Sequence, residues 1–328
     1  MQENTRKSRR RAWGIGLSFG LAGAFALAFR HKFLRTVTEP LPEDLSPAIF
    51  ARRMAATSYG DMVYHTSGAG EPLVFLHGLY PGASSFEWAR VYPQFVMEWE
   101  VLAADWLGFG ESERTDRVTD ASELAESLAD FLREALPGRS PVLVAGGLAA
   151  PVALLTATRH PERIKALVLL DAQSPNRPPE WSSASLRMRA RIPGPGSASA
   201  MATMGGIAFY SNFLSMEGSL PETLMACARQ PGARHMPLRL LRGALRFDLD
   251  ARIERIVPPV TLLGRKDAPS AFESQLLERI PFADFHILNL PHSSLPALAE
   301  PDVVSAALRD VLRMNPHLKT SPDVRHPH

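Results

Sequence analysis

The sequence predicts a doubly wound, mostly parallel α/β sheet with helices on both faces, an inserted helical cap, and a transmembrane helix at the N-terminus. Three observations carry this expectation. Short continuous apolar runs alternate with segments of helical period over residues 58–172 and again over 251–315. Between them, residues 173–250 lose the rhythm in proline- and glycine-rich stretches such as "RIPGPGSASAMATMGG". That is too long for a plain connection and predicts a folded cap. Finally, Ala12–Phe29 is an 18-residue run without a charge.

The N-terminal run, as a helix, would span roughly 27 Å, close to the hydrocarbon thickness of a bilayer. Residues 1–35 are therefore read as a membrane anchor and 36–57, with Pro40 and Pro42, as a linker. Five basic residues precede the apolar run and three follow it, which favours a cytoplasmic N-terminus and a single-pass protein with its domain on the extracytoplasmic side. A cleaved signal peptide ending at Ala26-Leu27-Ala28 is the rival, but Arg30, His31 and Lys32 come at once after it and oppose translocation. The run also holds Gly16-Leu17-Ser18-Phe19-Gly20, the one match to G-x-S-x-G in the chain. That pattern has chemical meaning only between a strand and a helix, so Ser18 is no nucleophile.

Through the core, "SYGDMVYH" reads as an edge strand and "PLVFLHG" as a buried parallel strand ending in a glycine turn. "WEVLAADWLGFGES" gives a strand and a glycine-broken loop, and "ASELAESLADFLREAL" an amphipathic helix. "PVLVA", "AAPVALLTATRH" and "ALVLLD" follow as strand, helix and strand. "PPVTLLG", "SAFESQLLERI", "DFHILNL" and "PDVVSAALRDVLRM" repeat the alternation after the cap. Residues 316–328 read as a disordered tail.

Charge and cysteine content exclude several classes. Residues 1–35 carry +7, whereas the remainder has 28 basic and 33 acidic residues, so the globular part is mildly acidic and offers no nucleic-acid surface. Cys227 is the single cysteine, which rules out an intrachain disulfide and a thiolate metal cluster. No metal and no cofactor is expected.

The run "LVFLHG", the loop "DWLGFGES" (Asp105–Ser112), "RHPERIKALVLLDA" and "VPPVTLLGRKD", in this order and spacing, resemble the α/β-hydrolase superfamily of the AB hydrolase-1 type over residues 60–313. The resemblance implies a nucleophile at the turn after the fifth core strand, where the chain reads Val144-Ala145-Gly146-Gly147-Leu148-Ala149-Ala150. The nucleophile position is then Gly147. Small flanking residues keep the bend possible, but the reactive atom is absent, which implies a degenerate member. The resemblance further implies an acid at Asp267 and a backbone oxyanion hole at Gly78, Leu79 and Leu148. Aligned back from Pro301, the histidine position falls on Ser294; aligned forward from the preceding strand, it falls on His292. Ser84 and Ser85 read as helix N-caps, Tyr80 as a pocket residue, and Asp171 as a strand-end aspartate.

Two functions follow. One is a membrane-anchored, catalytically impaired protein that binds a small apolar ligand or a protein partner. The other is a serine-independent ester-type hydrolase in which His292, oriented by Asp267, activates water.

Overall fold

The computed structural model describes residues 47, 49–115, 117–118, 120–177, 220–233, 235–249, 251–264, 269–288, 295–315 and 318. Eight strands form one sheet: β1 (Ala51–Thr57), β2 (Gly60–Ser67), β3 (Pro72–Leu76), β4 (Glu100–Ala104), β5 (Val142–Gly146), β6 (Ala166–Leu170), β7 (Val260–Gly264) and β8 (Ala283–Ile287). Their spatial order is β1-β2-β4-β3-β5-β6-β7-β8. The β1–β2 and β2–β4 pairs are antiparallel and all others parallel.

The all-apolar strands β3, β5 and β6 are buried along their whole length because both of their faces are covered. One face carries α1 (Ala121–Ala135), α2 (Ala149–Arg159) and α5 (Ala271–Arg279). The opposite face carries the 3₁₀ turns Ser85–Trp88 and Tyr92–Phe95 with α7 (Pro301–Met314). Phe75 of β3 sits among Trp88, Tyr92 and Phe95 there, with ring centroids 5.3, 6.2 and 6.1 Å away. Such an aromatic cluster buries a large apolar area in few residues.

Because β3 lies between β4 and β5, the chain leaving β4 must cross β3 to reach β5. In open α/β sheets this reversal opens a crevice at the carboxyl ends of the strands. The turns after β3 and β5 meet there.

Helix starts follow local chemistry. Asp120 caps α1 by accepting from the Glu123 N–H at 3.0 Å, and Glu123 reaches back to the Asp120 N–H at 3.2 Å. Ser270 and Glu273 make the same reciprocal pair at α5. Asp120→Ala is expected to cost about 1 kcal/mol in urea unfolding, with Asp120→Asn close to wild type.

The structure differs from the expectation at three places. Residues 51–57, read as the end of a linker, form β1. With Arg52 and Arg53 exposed and Ala55 alone fully buried, this strand has the charged, one-sided look of an edge and no strong hydrophobic alternation. β2 is consequently an inner strand, although "SYGDMVYH" was expected at the edge. Leu318, placed in the tail by its polar surroundings, is buried on the α7 face.

The insertion expected at 173–250 falls between β6 and β7. Its described part contains α3 (Leu220–Arg229) and α4 (His235–Leu241). A short α6 (Pro296–Ala299) precedes α7. Among the described residues no helix is long and apolar enough to cross a membrane. The Ala12–Phe29 run lies outside them.

Candidate functional site

The bend after β5 has the form the sequence implied. Gly147 has φ +54°, the left-handed region in which side-chain-bearing residues are strained. Its N–H donates to the Leu170 carbonyl at 3.0 Å, and its carbonyl accepts from the Gln173 N–H at 3.2 Å. Leu148 then caps α2 in right-handed geometry. A Cβ built on Gly147 would meet only the Gln173 side-chain amide, at 3.7 and 3.8 Å, which is ordinary contact. Among the described residues, the turn therefore has room for a side chain, and Gly147 carries none.

The turn after β3 is held from several sides. The Trp106 N–H donates to His77 Nε2 at 3.1 Å, so the ring proton sits on Nδ1, which donates to the Gly78 carbonyl at 2.8 Å. Trp106 Nε1–H donates to the His77 carbonyl at 3.0 Å. Burial pushes the His77 pKa down, in keeping with this neutral tautomer. The Gly78 N–H donates to Glu87 Oε2 at 2.8 Å.

That last bond corrects the expectation for Gly78. With its N–H spent on Glu87, Gly78 shapes the turn and offers no donor to an oxyanion. Leu79 and Leu148 follow the two turns and are both buried.

Glu87 was not singled out from the sequence. It is 3% exposed, between Phe86 and Trp88 in the 3₁₀ turn. Desolvation raises its pKa to about 7, and hydrogen bonds from Gly78 and Tyr80 pull the other way. A charged residue inside "SFEWARVY" was the available signal, but a surface glutamate on one face of a helix gives the same pattern.

The Asp105–Ser112 loop is built on one carboxylate. Asp105 accepts from the Ser85 N–H at 2.6 Å and the Glu111 N–H at 2.8 Å, and its carbonyl accepts from Ser112 Oγ at 2.7 Å. At Gly110, φ is +48° and a Cβ would stand 2.1 Å from Asp105 Oδ2, so only glycine fits.

Ser84 occupies the cap position of the Ser85–Trp88 turn, yet no side chain caps it. Ser85 Oγ instead lies 3.3 Å from His65 Nδ1, and His65 Nε2 lies 3.1 Å from Glu111 Oε2. These are the residue types of a catalytic triad. However, Ser85 is 1% exposed and its own N–H is committed to Asp105, so the group reads as a buried polar network. Cys227 is likewise inert: burial pushes its thiol up to about 12.

Asp267, His292 and Ser294 lie outside the described residues. The cap methionines and aromatics Met201, Met204, Phe209, Tyr210, Phe213 and Met216 lie outside them too. β7 ends at Gly264 on the same sheet edge as Gly147, three residues before Asp267. Among the described residues no group of histidine, cysteine and carboxylate side chains could hold a metal ion.

Residues 71–196 match a family model described as alpha/beta hydrolase fold. This chain has the α/β-hydrolase fold. It is 37% identical over 107 residues to a 2-hydroxymuconate semialdehyde hydrolase of Pseudomonas sp. strain CF600, covering 32% of this chain and 38% of that protein. It is 31% identical over 134 residues to a haloalkane dehalogenase of Agrobacterium fabrum, covering 39% and 42% respectively. The chain thus spans about two fifths of the length of these curated relatives. The structure superposes on a haloalkane dehalogenase variant from Bradyrhizobium elkanii with a TM-score of 0.66 at 19% identity, over 82% of this chain and 98% of that one. At this identity the superposition shows the α/β-hydrolase fold alone.

Proposed function

We propose that this α/β-hydrolase-fold protein binds a small apolar carbonyl compound at the bend after β5 and does not form a covalent intermediate there. The observation that carries the reading is Gly147. It keeps the left-handed turn between strand and helix and leaves a Cβ-sized space beside Gln173, with no atom able to attack a carbon centre. In serine hydrolases, removing the nucleophile costs roughly a million-fold in kcat, while the oxyanion hole and binding retain about 10³ over water. A site without a nucleophile therefore binds better than it turns over. The buried side chains of Leu79, Tyr80 and Leu148 around the two turns favour an apolar ligand.

In the same proposal Ala12–Phe29 anchors the chain in a membrane as a single pass, with the folded domain on the extracytoplasmic side. The alternative occupant of the site, a protein segment, is an outcome of the ligand test.

Butyrophenone and p-nitrophenyl butyrate test this reading on the full-length chain. Saturable butyrophenone binding by calorimetry, with ester hydrolysis no faster than in buffer, is the expected result. Hydrolysis that vanishes in both Asp267→Ala and His292→Ala would instead assign a histidine-activated water. Absence of butyrophenone binding would remove the ligand reading and leave a protein partner.

A further inference from the structure

Two glycines that are far apart in sequence share one neighbour. A Cβ on Gly146 would lie 2.9 Å from Glu87 Oε1 and 3.5 Å from the Trp88 ring. A Cβ on Gly78 would lie 3.4 Å from Glu87 Oε2 and 3.2 Å from the Tyr80 ring. The carboxyl of Glu87 thus occupies a slot whose walls are the turn after β3 and the last residue of β5. This accounts for the glycine pair at the bend: Gly147 meets the backbone requirement, and Gly146 makes room for Glu87.

We propose that Glu87 is a positioning residue that ties the β3 turn to the β5 bend, and that its gain or loss of a proton sets the relative placement of the two. The bond from the Gly78 N–H is charge-assisted when Glu87 is ionised and weakens when it is protonated. Among the described residues, the titratable groups around the slot are few. His77 is held neutral by its two hydrogen bonds, Tyr80 lies against the carboxyl, and Asp105 stands 3.9 Å behind His77. Val142–Leu148 brings no ionisable side chain. With no cation among the described residues of the slot, burial moves the carboxyl's titration to about 7, so the switch falls near neutral pH.

The consequence deepens the ligand reading and rests on it. Above the midpoint a full negative charge lies beneath the two turns and opposes a ligand carboxylate. Below it the slot is neutral, and a carboxylate and a neutral carbonyl are both accepted.

Backbone amide resonances of the full-length chain test the inference without any ligand, so its failure is separable from failure of the binding reading. Across roughly pH 5.5 to 8.5, which brackets about 7, the Gly78 amide is expected to shift most. Gly146 and Leu148 are expected to follow with the same midpoint. Glu87→Gln is expected to flatten all three curves, and Gly146→Ala, by displacing the carboxyl, to remove the Gly78 titration. A static Gly78 amide in the wild type overturns the inference, and so does a Gly78 titration that persists in Glu87→Gln. Movement of Gly78 with Gly146 and Leu148 stationary overturns the coupling between the turns. The wild-type titration decides the matter even if a variant fails to fold.

Discussion

Between pH 4.5 and pH 7 the wild-type chain is expected to lose about 3 kcal/mol of stability that Glu87→Gln does not lose. The sign follows from where the protons sit. In the fold the carboxyl titrates at about 7, while in the unfolded chain it titrates at the ordinary 4.5. The folded state therefore holds the extra proton between those values, and its stability falls as pH rises through the window. The contribution is fully present below 4.5 and gone above about 7. His77 acts in the opposite sense. Its pKa is lowered by burial, so its contribution is present above the usual histidine value of 6.5 and is lost as pH falls. The difference between wild type and Glu87→Gln isolates the carboxyl, because His77 is common to both. Urea midpoints at several pH values supply the measurement. Parallel curves for the two proteins would mean that Glu87 titrates alike in the folded and unfolded chains, at its ordinary value.

Gly147→Ser is expected to fold, to lose about 1–2 kcal/mol, and to gain little activity. The stability cost is backbone strain, since φ is +54° and a side chain disfavours that region. Steric cost is small, because the new Cβ meets only the Gln173 amide at 3.7 Å. A serine there still needs a base to take its proton. If Ser294 holds the histidine position, Gly147→Ser alone leaves p-nitrophenyl butyrate hydrolysis near the buffer rate. Adding Ser294→His then gives a small measurable rate. If His292 holds it, the single variant is already active and His292→Ala silences it. The pair of variants thus decides between two alignments that the sequence leaves open.

The parts of this fold that were legible in the sequence are those in which one local requirement dominates. "PLVFL", "VLVAG" and "ALVLL" read as buried strands because both sheet faces are covered, and they are β3, β5 and β6. The bend at Gly147 was legible because small residues flank it and a helix follows. β1 was not, since an edge strand with two exposed arginines has no pattern that separates it from a linker. Glu87 was hidden for a different reason. Its burial depends on Gly78 and Gly146, each contributed by a different strand end, and neither spacing nor composition joins those three residues. Gly78 was misassigned for the same cause: its N–H is occupied by a side chain nine residues away. The Ser85–His65–Glu111 series shows the converse, with triad residue types brought together where no substrate carbonyl can be served.

The measurement that bears most directly on the absence of an attacking group is the intact mass of the full-length wild-type chain after incubation with an alkyl fluorophosphonate, followed by peptide mapping of any product. An unchanged mass is the predicted result. A phosphonyl adduct on a residue of the turns after β3, β5 or β7 would contradict it.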